Sequence, residues 1–169
     1  MLAKLWLTGV NYVDTFKAPE PGFLGGFYDN KLFYYASPST PTFKRMFDVS
    51  KVFALPRVDI VYGHQEFDGR ILRSIVEYGD VEGIVIASPN GGVGASEAIS
   101  EVAGLVPVVR HVRINVGMIA PSETYGANST IAAGLVNSQK SRIQLQLALA
   151  TGADPREVFE EPLRGILYP

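Results

Sequence analysis

Three side chains in this sequence are suited to moving protons: His64, Glu123 and Tyr125. His64 directly follows an apolar run typical of a buried strand. It could act as a general base, because imidazole titrates near neutral pH. Glu123 and Tyr125 lie together in a long polar loop and could perform acid–base chemistry if that loop closed over a pocket. The alternatives are that His64 is a polar loop residue beside a helix and that the other two belong to an exposed turn.

A second group of residues could bind an anionic substrate. Asn90, Gly91 and Gly92 lie between a predicted strand and a predicted helix, where backbone N–H groups can contact a phosphate or carboxylate. Arg110 and Arg113 come towards the end of a later strand, where a guanidinium group could bind a carboxylate. The alternatives are a tight turn at the glycines and arginines that pair with acids at a subunit interface. We predict these five residues as substrate-binding candidates.

The composition excludes several kinds of site. The 169 residues include no cysteine and two histidines, and the second, His111, lies inside an apolar strand and is interpreted as structural. We therefore expect no metal and no cofactor. A net charge of −2 provides no basic face for nucleic acid, and no apolar run is long enough to span a membrane. The first residues do not form a cleavable signal, so we expect a cytoplasmic protein.

The spacing of apolar residues predicts an α/β fold. Runs rich in β-branched residues alternate with stretches of helical periodicity. This pattern predicts a Rossmann-like three-layer sandwich, a parallel sheet of about four strands flanked by helices. Strands are predicted over residues 58–62, 82–87 and 107–114, and helices over 69–78, 96–103 and 138–150, with a short one from residue 154. We expect Asp68 to cap the first helix, and Ile143, Leu147 and Ala150 to form the buried face of the third.

A β-hairpin is predicted in front of this domain. Residues 23–28 and 31–35 flank Asp29 and Asn30, a pair that tolerates the positive φ angles of a tight turn. Gly25 and Gly26 indicate a bulge. Aromatic residues on both faces indicate that the hairpin packs on a subunit partner or an apolar ligand. We divide the chain into an extension with a hairpin arm, residues 1–50, and an α/β domain, residues 51–169.

Several short motifs follow one another in order over roughly residues 10–160. They are Val13-Asp14-Thr15-Phe16, Asp29-Asn30, Phe47-Asp48-Val49, Leu55-Pro56-Arg57-Val58, Tyr62-Gly63, Gly83-Ile84-Val85, Val108-Val109-Arg110 and the helix of residues 137–149. In order and spacing they resemble the carboxyl-terminal domain of the bacterial-type L-asparaginase/glutaminase family, standing alone without the amino-terminal catalytic domain. The resemblance implies a two-domain hydrolase of asparagine and glutamine, whose threonine nucleophile and Thr-Asp-Lys group lie in the amino-terminal domain.

The resemblance also implies which residues of this chain could reach an active site. The family's carboxyl-terminal domain lends two polar side chains to the site of a neighbouring subunit. Val93 aligns with the first, for which Asn90 or Ser88 could substitute if the loop were rebuilt, and Glu123 is the nearest match to the second. Thr8-Gly9 does not continue into the family's threonine segment, so the nucleophile and its base are absent by this comparison.

Three hypotheses about function follow. The first is a repurposed small-molecule enzyme of the isomerase, cyclase or lyase type, with a pocket at the carboxyl ends of the strands where parallel sheets bind ligands. Because only 19% of the residues are charged, we expect apolar surface to be covered in a homodimer, and the pocket to lie across it. The second is a subunit of a split L-asparaginase that requires a separate amino-terminal half. The third is a non-catalytic binding or regulatory module.

Overall fold

The computed structural model describes residues 6–7, 16–17, 22, 24–35, 45–88, 95–114, 117–121 and 129–167. The chain forms two compact units, residues 1–44 and 45–169. Phe47 packs against the apolar core of the larger unit, and Arg45 forms an ion pair with Glu161 at 3.9 Å. The residues just after position 44 therefore belong to the larger unit.

The smaller unit contains two antiparallel strand pairs among its described residues. Strand β1 (Trp6–Leu7) pairs with β2 (Phe16–Lys17), and β3 (Gly25–Tyr28) pairs with β4 (Lys31–Tyr34). Asp29 and Asn30 connect β3 to β4 with φ angles of 47° and 60°, so the predicted tight turn is confirmed.

The predicted bulge in this hairpin is wrong. The register runs unbroken from the pair of Gly25 with Tyr34 to the pair of Tyr28 with Lys31. Glycine is needed here for close approach, because a Cβ atom at Gly25 would lie 2.0 Å from the carbonyl oxygen of Phe33.

The larger unit is an α/β sandwich built on a parallel sheet. Its elements are β5 (Val58–Tyr62), α1 (Arg70–Tyr78), β6 (Gly83–Ala87), α2 (Ser96–Ala103), β7 (Val108–His111), β8 (Ile131–Ala132), α3 (Ser138–Ala150) and α4 (Pro155–Leu167). The strands pair in the order β5-β6-β7-β8, and every pairing is parallel. The predicted fold class is confirmed. None of the described helices is long and apolar enough to cross a membrane.

Two apolar clusters form the core, one on each face of the sheet. Ile84 and Val108 belong to the cluster under α1 and α2. Val85 and Val109 belong to the cluster under α3 and α4. Successive residues of a strand point to opposite faces, so β6 and β7 contribute to both clusters. This double burial explains why these strands are continuous apolar runs in the sequence.

The buried face of α3 differs from the predicted one. Ile143 is exposed, and Leu147 and Ala150 are only half-buried. The side chains of Ser141 and Gln146 can be buried because each donates a hydrogen bond to a backbone carbonyl, at 3.2 and 2.8 Å respectively. The residues that α3 buries are Ser138, Ser141, Leu145, Gln146 and Ala148.

Several element boundaries also differ from the predictions. Strand β7 ends at His111 rather than at residue 114, and β8 has only two residues, too few to give a recognisable sequence pattern. Helix α4 is not short but runs for 13 residues, from a cap in which Asp154 Oδ1 accepts from the N–H of Arg156 at 2.8 Å. The N-cap of α1 is Gly69, although Asp68 Oδ1 accepts from the first helical N–H at 3.1 Å.

Candidate functional site

The carboxyl ends of β5, β6 and β7 meet the amino end of α3 at one edge of the sheet. The N–H of Gly63 donates to the carbonyl of Ala87 at 2.8 Å, and the N–H of Ser88 donates to that of His111 at 3.0 Å. The hydroxyl of Ser138 lies 3.5 Å from Nδ1 of His111. Ligands of parallel sheets bind at this edge, so these residues define the candidate site.

The inner layer of this edge is tightly packed. His111 is 2% exposed and Ser138 is 4% exposed. Nδ1 of His111 also lies against the carbonyl oxygen of Val112. Burial lowers the pKa of His111, although the contact with the Val112 carbonyl acts in the opposite direction. A substrate therefore cannot reach this pair, and His111 has the structural position that the sequence predicts.

Ser88 belongs to the same inner layer. It is buried, and a Cβ atom at Gly63 would lie 2.7 Å from its hydroxyl oxygen. Ser88 therefore fills the space beside Gly63 and does not present its hydroxyl to a ligand.

Tyr62 and Gln139 form the exposed layer of the same edge. Tyr62 is the last residue of β5, and its hydroxyl accepts a hydrogen bond from Nε2 of Gln139 at 3.1 Å. Gln139 is placed by the first turn of α3, where the side chain of Asn137 accepts from the N–H of Lys140 at 3.0 Å. Our sequence-based candidates did not include this pair. The available signal was the helix cap at Asn137, which indicates that the next residues lie at a helix start.

His64 lies two residues beyond the end of β5 and is exposed. Its Nδ1 lies 2.6 Å from the carbonyl oxygen of Gln65, and its ring contacts Phe67 edge to face, with centroids 5.6 Å apart. Asp68, four positions further along the chain, pairs with Arg70 at 2.5 Å. The contacts of His64 within the described part of the chain thus include no carboxylate.

Arg110 and Arg113 occupy different environments. Arg110 is 6% exposed, donates from Nη2 to the carbonyl of Ala120 at 3.0 Å, and has no hydrogen-bond partner for Nε. Burial lowers the pKa of Arg110, Glu160 raises it and Arg156 lowers it. Arg113 lies beyond the end of β7 and is exposed. The two guanidinium groups therefore do not form one exposed clamp at a strand end.

The other predicted site residues lie outside the described part of the chain. They are Asn90, Gly91, Gly92, Glu123 and Tyr125, together with Val93. Within the described residues, no three His, Asp or Glu side chains come together as metal ligands.

The sequence matches a family profile described as "Glutaminase/Asparaginase C-terminal domain" over residues 57–160. This chain belongs to the glutaminase/asparaginase family. The matched region begins just before β5 and ends within α4, so it contains the sheet, its helices and the strand-end edge. The resemblance inferred from the ordered motifs is confirmed.

Similar proteins carry the asparaginase name and are longer than this chain. "Probable L-asparaginase 4" of Schizosaccharomyces pombe is 34% identical over 158 residues, which cover 89% of this chain and 42% of that protein. "L-asparaginase 2" of Bacillus subtilis is 37% identical over 155 residues, covering 89% of this chain and 41% of that protein. A solved structure of a probable cytoplasmic L-asparaginase from Campylobacter jejuni superposes with a TM-score of 0.80 at 32% identity, covering 95% of this chain and 51% of that one. This asparaginase-family chain thus spans between 41% and 51% of the length of each of these relatives.

Proposed function

We propose that this chain is the carboxyl-terminal half of an asparaginase-type amidohydrolase, active on L-asparagine only together with an amino-terminal asparaginase half. The observation that carries the proposal is the shared fold and sequence with L-asparaginases of which this chain spans only 41–42% in the two curated relatives. Amide hydrolysis by acyl transfer requires an activated nucleophile. The family resemblance assigns that nucleophile to the part of the relatives that this chain does not span.

The side chains at the strand-end edge support a nucleophile that comes from the amino-terminal half. Ser138 and His111 are the described hydroxyl and imidazole closest to the arrangement of a nucleophile and a base, but both are buried and 3.5 Å apart. They therefore support the edge and do not attack a substrate. Tyr62 and Gln139 are exposed and joined by a hydrogen bond at 3.1 Å, so they offer a hydroxyl and an amide to a polar substrate.

A repurposed acid–base enzyme has less support. That hypothesis depended on His64 together with Glu123 and Tyr125, and the described contacts of His64, with the Gln65 carbonyl and the Phe67 ring, include no carboxylate. The named relatives are all called asparaginases. A non-catalytic module remains a distinct outcome of the experiment below.

The experiment measures ammonia release from L-asparagine and L-glutamine. The purified chain is assayed alone and after co-expression with the part of Bacillus subtilis L-asparaginase 2 that precedes its matched region. We expect no ammonia from the chain alone and ammonia from the pair. The two halves of the Bacillus subtilis enzyme, co-expressed in the same way, are the positive control. Activity of the chain alone, or an inactive complex of the two halves, would refute the proposal.

The role of the exposed layer is tested in the complemented enzyme with Tyr62→Phe. This change removes only the hydroxyl that we propose contacts the substrate, and loss of one hydrogen bond to the substrate, about 1 kcal/mol, lowers kcat/KM roughly fivefold. Tyr78→Phe, an exposed tyrosine on α1, is the matched control and leaves kcat/KM unchanged. Equal kcat/KM values for the two variants would show that Tyr62 does not contribute to the site.

A further inference from the structure

His111 connects the end of β7 to the start of α3. Its backbone carbonyl accepts from the N–H of Ser88 at 3.0 Å, so its main chain is held among the strand ends. Its ring reaches α3, where Nδ1 lies 3.5 Å from the hydroxyl of Ser138, the first residue of the helix. Both side chains are buried. The imidazole is therefore a polar contact between the sheet and the first turn of α3.

The position of this first turn determines where Gln139 lies. Asn137 caps the turn, and its carbonyl accepts from the N–H of Ser141 at 2.8 Å. Bonds of this kind shape the helix start but do not fix its place on the sheet. Gln139 is the second residue of the helix, and its Nε2 donates to the Tyr62 hydroxyl at 3.1 Å. A shift of the turn would therefore separate the two exposed side chains of the candidate site.

The surroundings of the His111 ring favour its uncharged form. The Val112 carbonyl, which Nδ1 contacts, can only accept, so Nδ1 carries the hydrogen. Burial lowers the pKa of His111 and outweighs this carbonyl, which raises it. The ring also lies at the amino end of α3, where the helix dipole is positive and disfavours a cation.

The elements next to this ring provide no carboxylate to pair with an imidazolium. Of the described strands beside it, β6 and β8 carry no charged residue. The charged residues of β7 and α3 are the bases Arg110, Lys140 and Arg142. Arg110 lies on the opposite face of the sheet, because successive strand residues alternate, and Arg142 donates to the Val58 carbonyl at 2.7 Å. An added proton on His111 is therefore uncompensated.

We propose that His111 is a positioning residue for the strand-end site: its neutral ring holds the first turn of α3, and with it Gln139, beside Tyr62. That this site binds substrate rests on the proposed function. Protonation keeps the Nδ1 hydrogen but creates a buried positive charge, and movement of the turn admits the water that such a charge requires. Well above pH 6.5 the ring is neutral and the turn is held. As the pH falls below 6.5, the start of α3 loosens before the rest of the domain.

The first experiment measures amide hydrogen exchange by NMR in the chain alone at pH 7.5 and pH 5. The N–H of Ser141 reports on the start of α3, and the N–H of Val158, which donates to the Asp154 carbonyl at 3.0 Å, is the matched control at the start of α4. Each protection factor is taken relative to the intrinsic exchange rate at that pH. We expect the ratio of the Ser141 factor to the Val158 factor to fall at least about fivefold on acidification. Equal falls at both positions would reflect global stability alone and overturn the proposal.

Two substitutions separate the charge from the contact. His111→Asn places an amide nitrogen at the position of Nδ1 and cannot titrate, so its ratio matches the wild type at pH 7.5 and does not fall at pH 5. His111→Leu fills the space without a donor, so its ratio is lower at both pH values. The Val158 factor and far-UV circular dichroism verify that each variant is folded. A ratio in His111→Asn that falls as in the wild type, or a wild-type ratio in His111→Leu at pH 7.5, overturns the proposal.

The second experiment measures kinetics in complex with the amino-terminal half of Bacillus subtilis L-asparaginase 2. Because Gln139 binds substrate and does not react, acidification raises KM for L-asparagine more than it lowers kcat, and His111→Asn has a smaller rise in KM. The expected exchange results without ammonia release would refute only the proposed function. An active complex with the same pH dependence of KM in the wild type and His111→Asn would refute only the positioning role.

Discussion

His111 is a base held in the core at the amino end of α3. Its ring contacts the Val112 carbonyl and lies 3.5 Å from the Ser138 hydroxyl. Burial disfavours the charged imidazolium, so the pKa of His111 in the folded chain lies below its ordinary value of 6.5. Well above pH 6.5 the ring is neutral in both states. As the pH falls below 6.5, the unfolded chain takes up a proton that the folded chain resists, and stability is lost.

We therefore predict that acidification from pH 7.5 to pH 5 lowers the free energy of unfolding, with a limiting slope of about 1.4 kcal/mol per pH unit for this group. His111→Gln cannot titrate and has a flatter dependence over the same range. The lowered carboxyl pKa values of Asp48 and Asp68 affect stability chiefly below about pH 5, outside this window. Urea unfolding at four pH values measures the difference. Identical slopes for wild type and variant would contradict the assignment.

Arg110 carries a buried guanidinium without an ion-pair partner among the described residues. Its Nη2 donates to Ala120, its Nε is unpartnered, and burial lowers its pKa. Removing a charge from water is costly unless a close partner compensates it. One hydrogen bond to a half-buried carbonyl offsets only part of that cost. Arg110 therefore does little for stability as a charge, although its stem fills space in the core.

We predict that Arg110→Met changes the free energy of unfolding by less than about 1 kcal/mol or increases it, because methionine keeps the volume and removes the charge. Arg110→Ala leaves a cavity and costs about 2 kcal/mol or more. Urea unfolding at pH 7.5 compares the two variants. A loss above about 2 kcal/mol in Arg110→Met would show that the charge itself is required.

At the scale of elements, a glycine allows the start of α1 to lie close to α2. Gly69, the N-cap of α1, has a φ of 77°, and a Cβ atom there would lie 2.4 Å from Cβ of Ala98 on α2. Both atoms are fixed by their backbones, so a side chain at position 69 would separate the helices. Gly152, after α3, has a similar φ of 68° but no atom within 4 Å of its Cβ position.

These two glycines make a matched pair of predictions. Gly152→Ala incurs only the left-handed backbone penalty of about 1–2 kcal/mol. Gly69→Ala incurs that penalty and the overpacking penalty, for a total of about 3 kcal/mol or more. Thermal and urea unfolding of both variants measure the difference. Equal losses would mean that the helices can separate without cost.

Side chains from α3 and α4 form hydrogen bonds with the two outer strands of the described sheet, β5 and β8. On the β5 edge, Arg142 donates to the Val58 carbonyl at 2.7 Å. On the β8 edge, the carboxylate of Glu160 accepts from the N–H of Ala132 at 3.2 Å. Unpaired strand edges favour aggregation, and these contacts satisfy part of each edge.

At the scale of the whole molecule, the described apolar core lies in the larger unit. The two apolar clusters lie on opposite faces of one sheet, and their members come from residues 47–159. The described hairpin of the smaller unit, in contrast, exposes most of its apolar side chains.

We predict that deletion of residues 1–44 leaves the larger unit folded, with a Tm within about 3 °C of the full chain. The members of both described apolar clusters lie between residues 47 and 159, outside the deleted segment. Circular dichroism and differential scanning calorimetry test this outcome. Loss of the cooperative transition would show that residues 1–44 complete the core.

Sequence reasoning succeeded where one pattern has one structural interpretation. The apolar runs around Val85 and Val109 are buried on both faces, so their assignment to inner parallel strands needed no knowledge of their neighbours. It failed for α3, because hydrophobicity selected Ile143 while hydrogen bonds to backbone carbonyls made Ser141 and Gln146 buried. It also failed to locate β8, whose two residues pair only because β7 lies beside them.

The order of strands, helices and short motifs was enough to determine the fold class and the family, because both depend on local patterns repeated along the chain. The sequence predicted a site at the carboxyl ends of the strands, but which described side chains meet there was decided by the tertiary structure. Tyr62 and Gln139 are 77 positions apart and meet only because β5 and α3 end at one edge of the sheet. His111 and Arg110 are likewise buried by elements distant in sequence, and burial rather than residue type determines what their side chains can do.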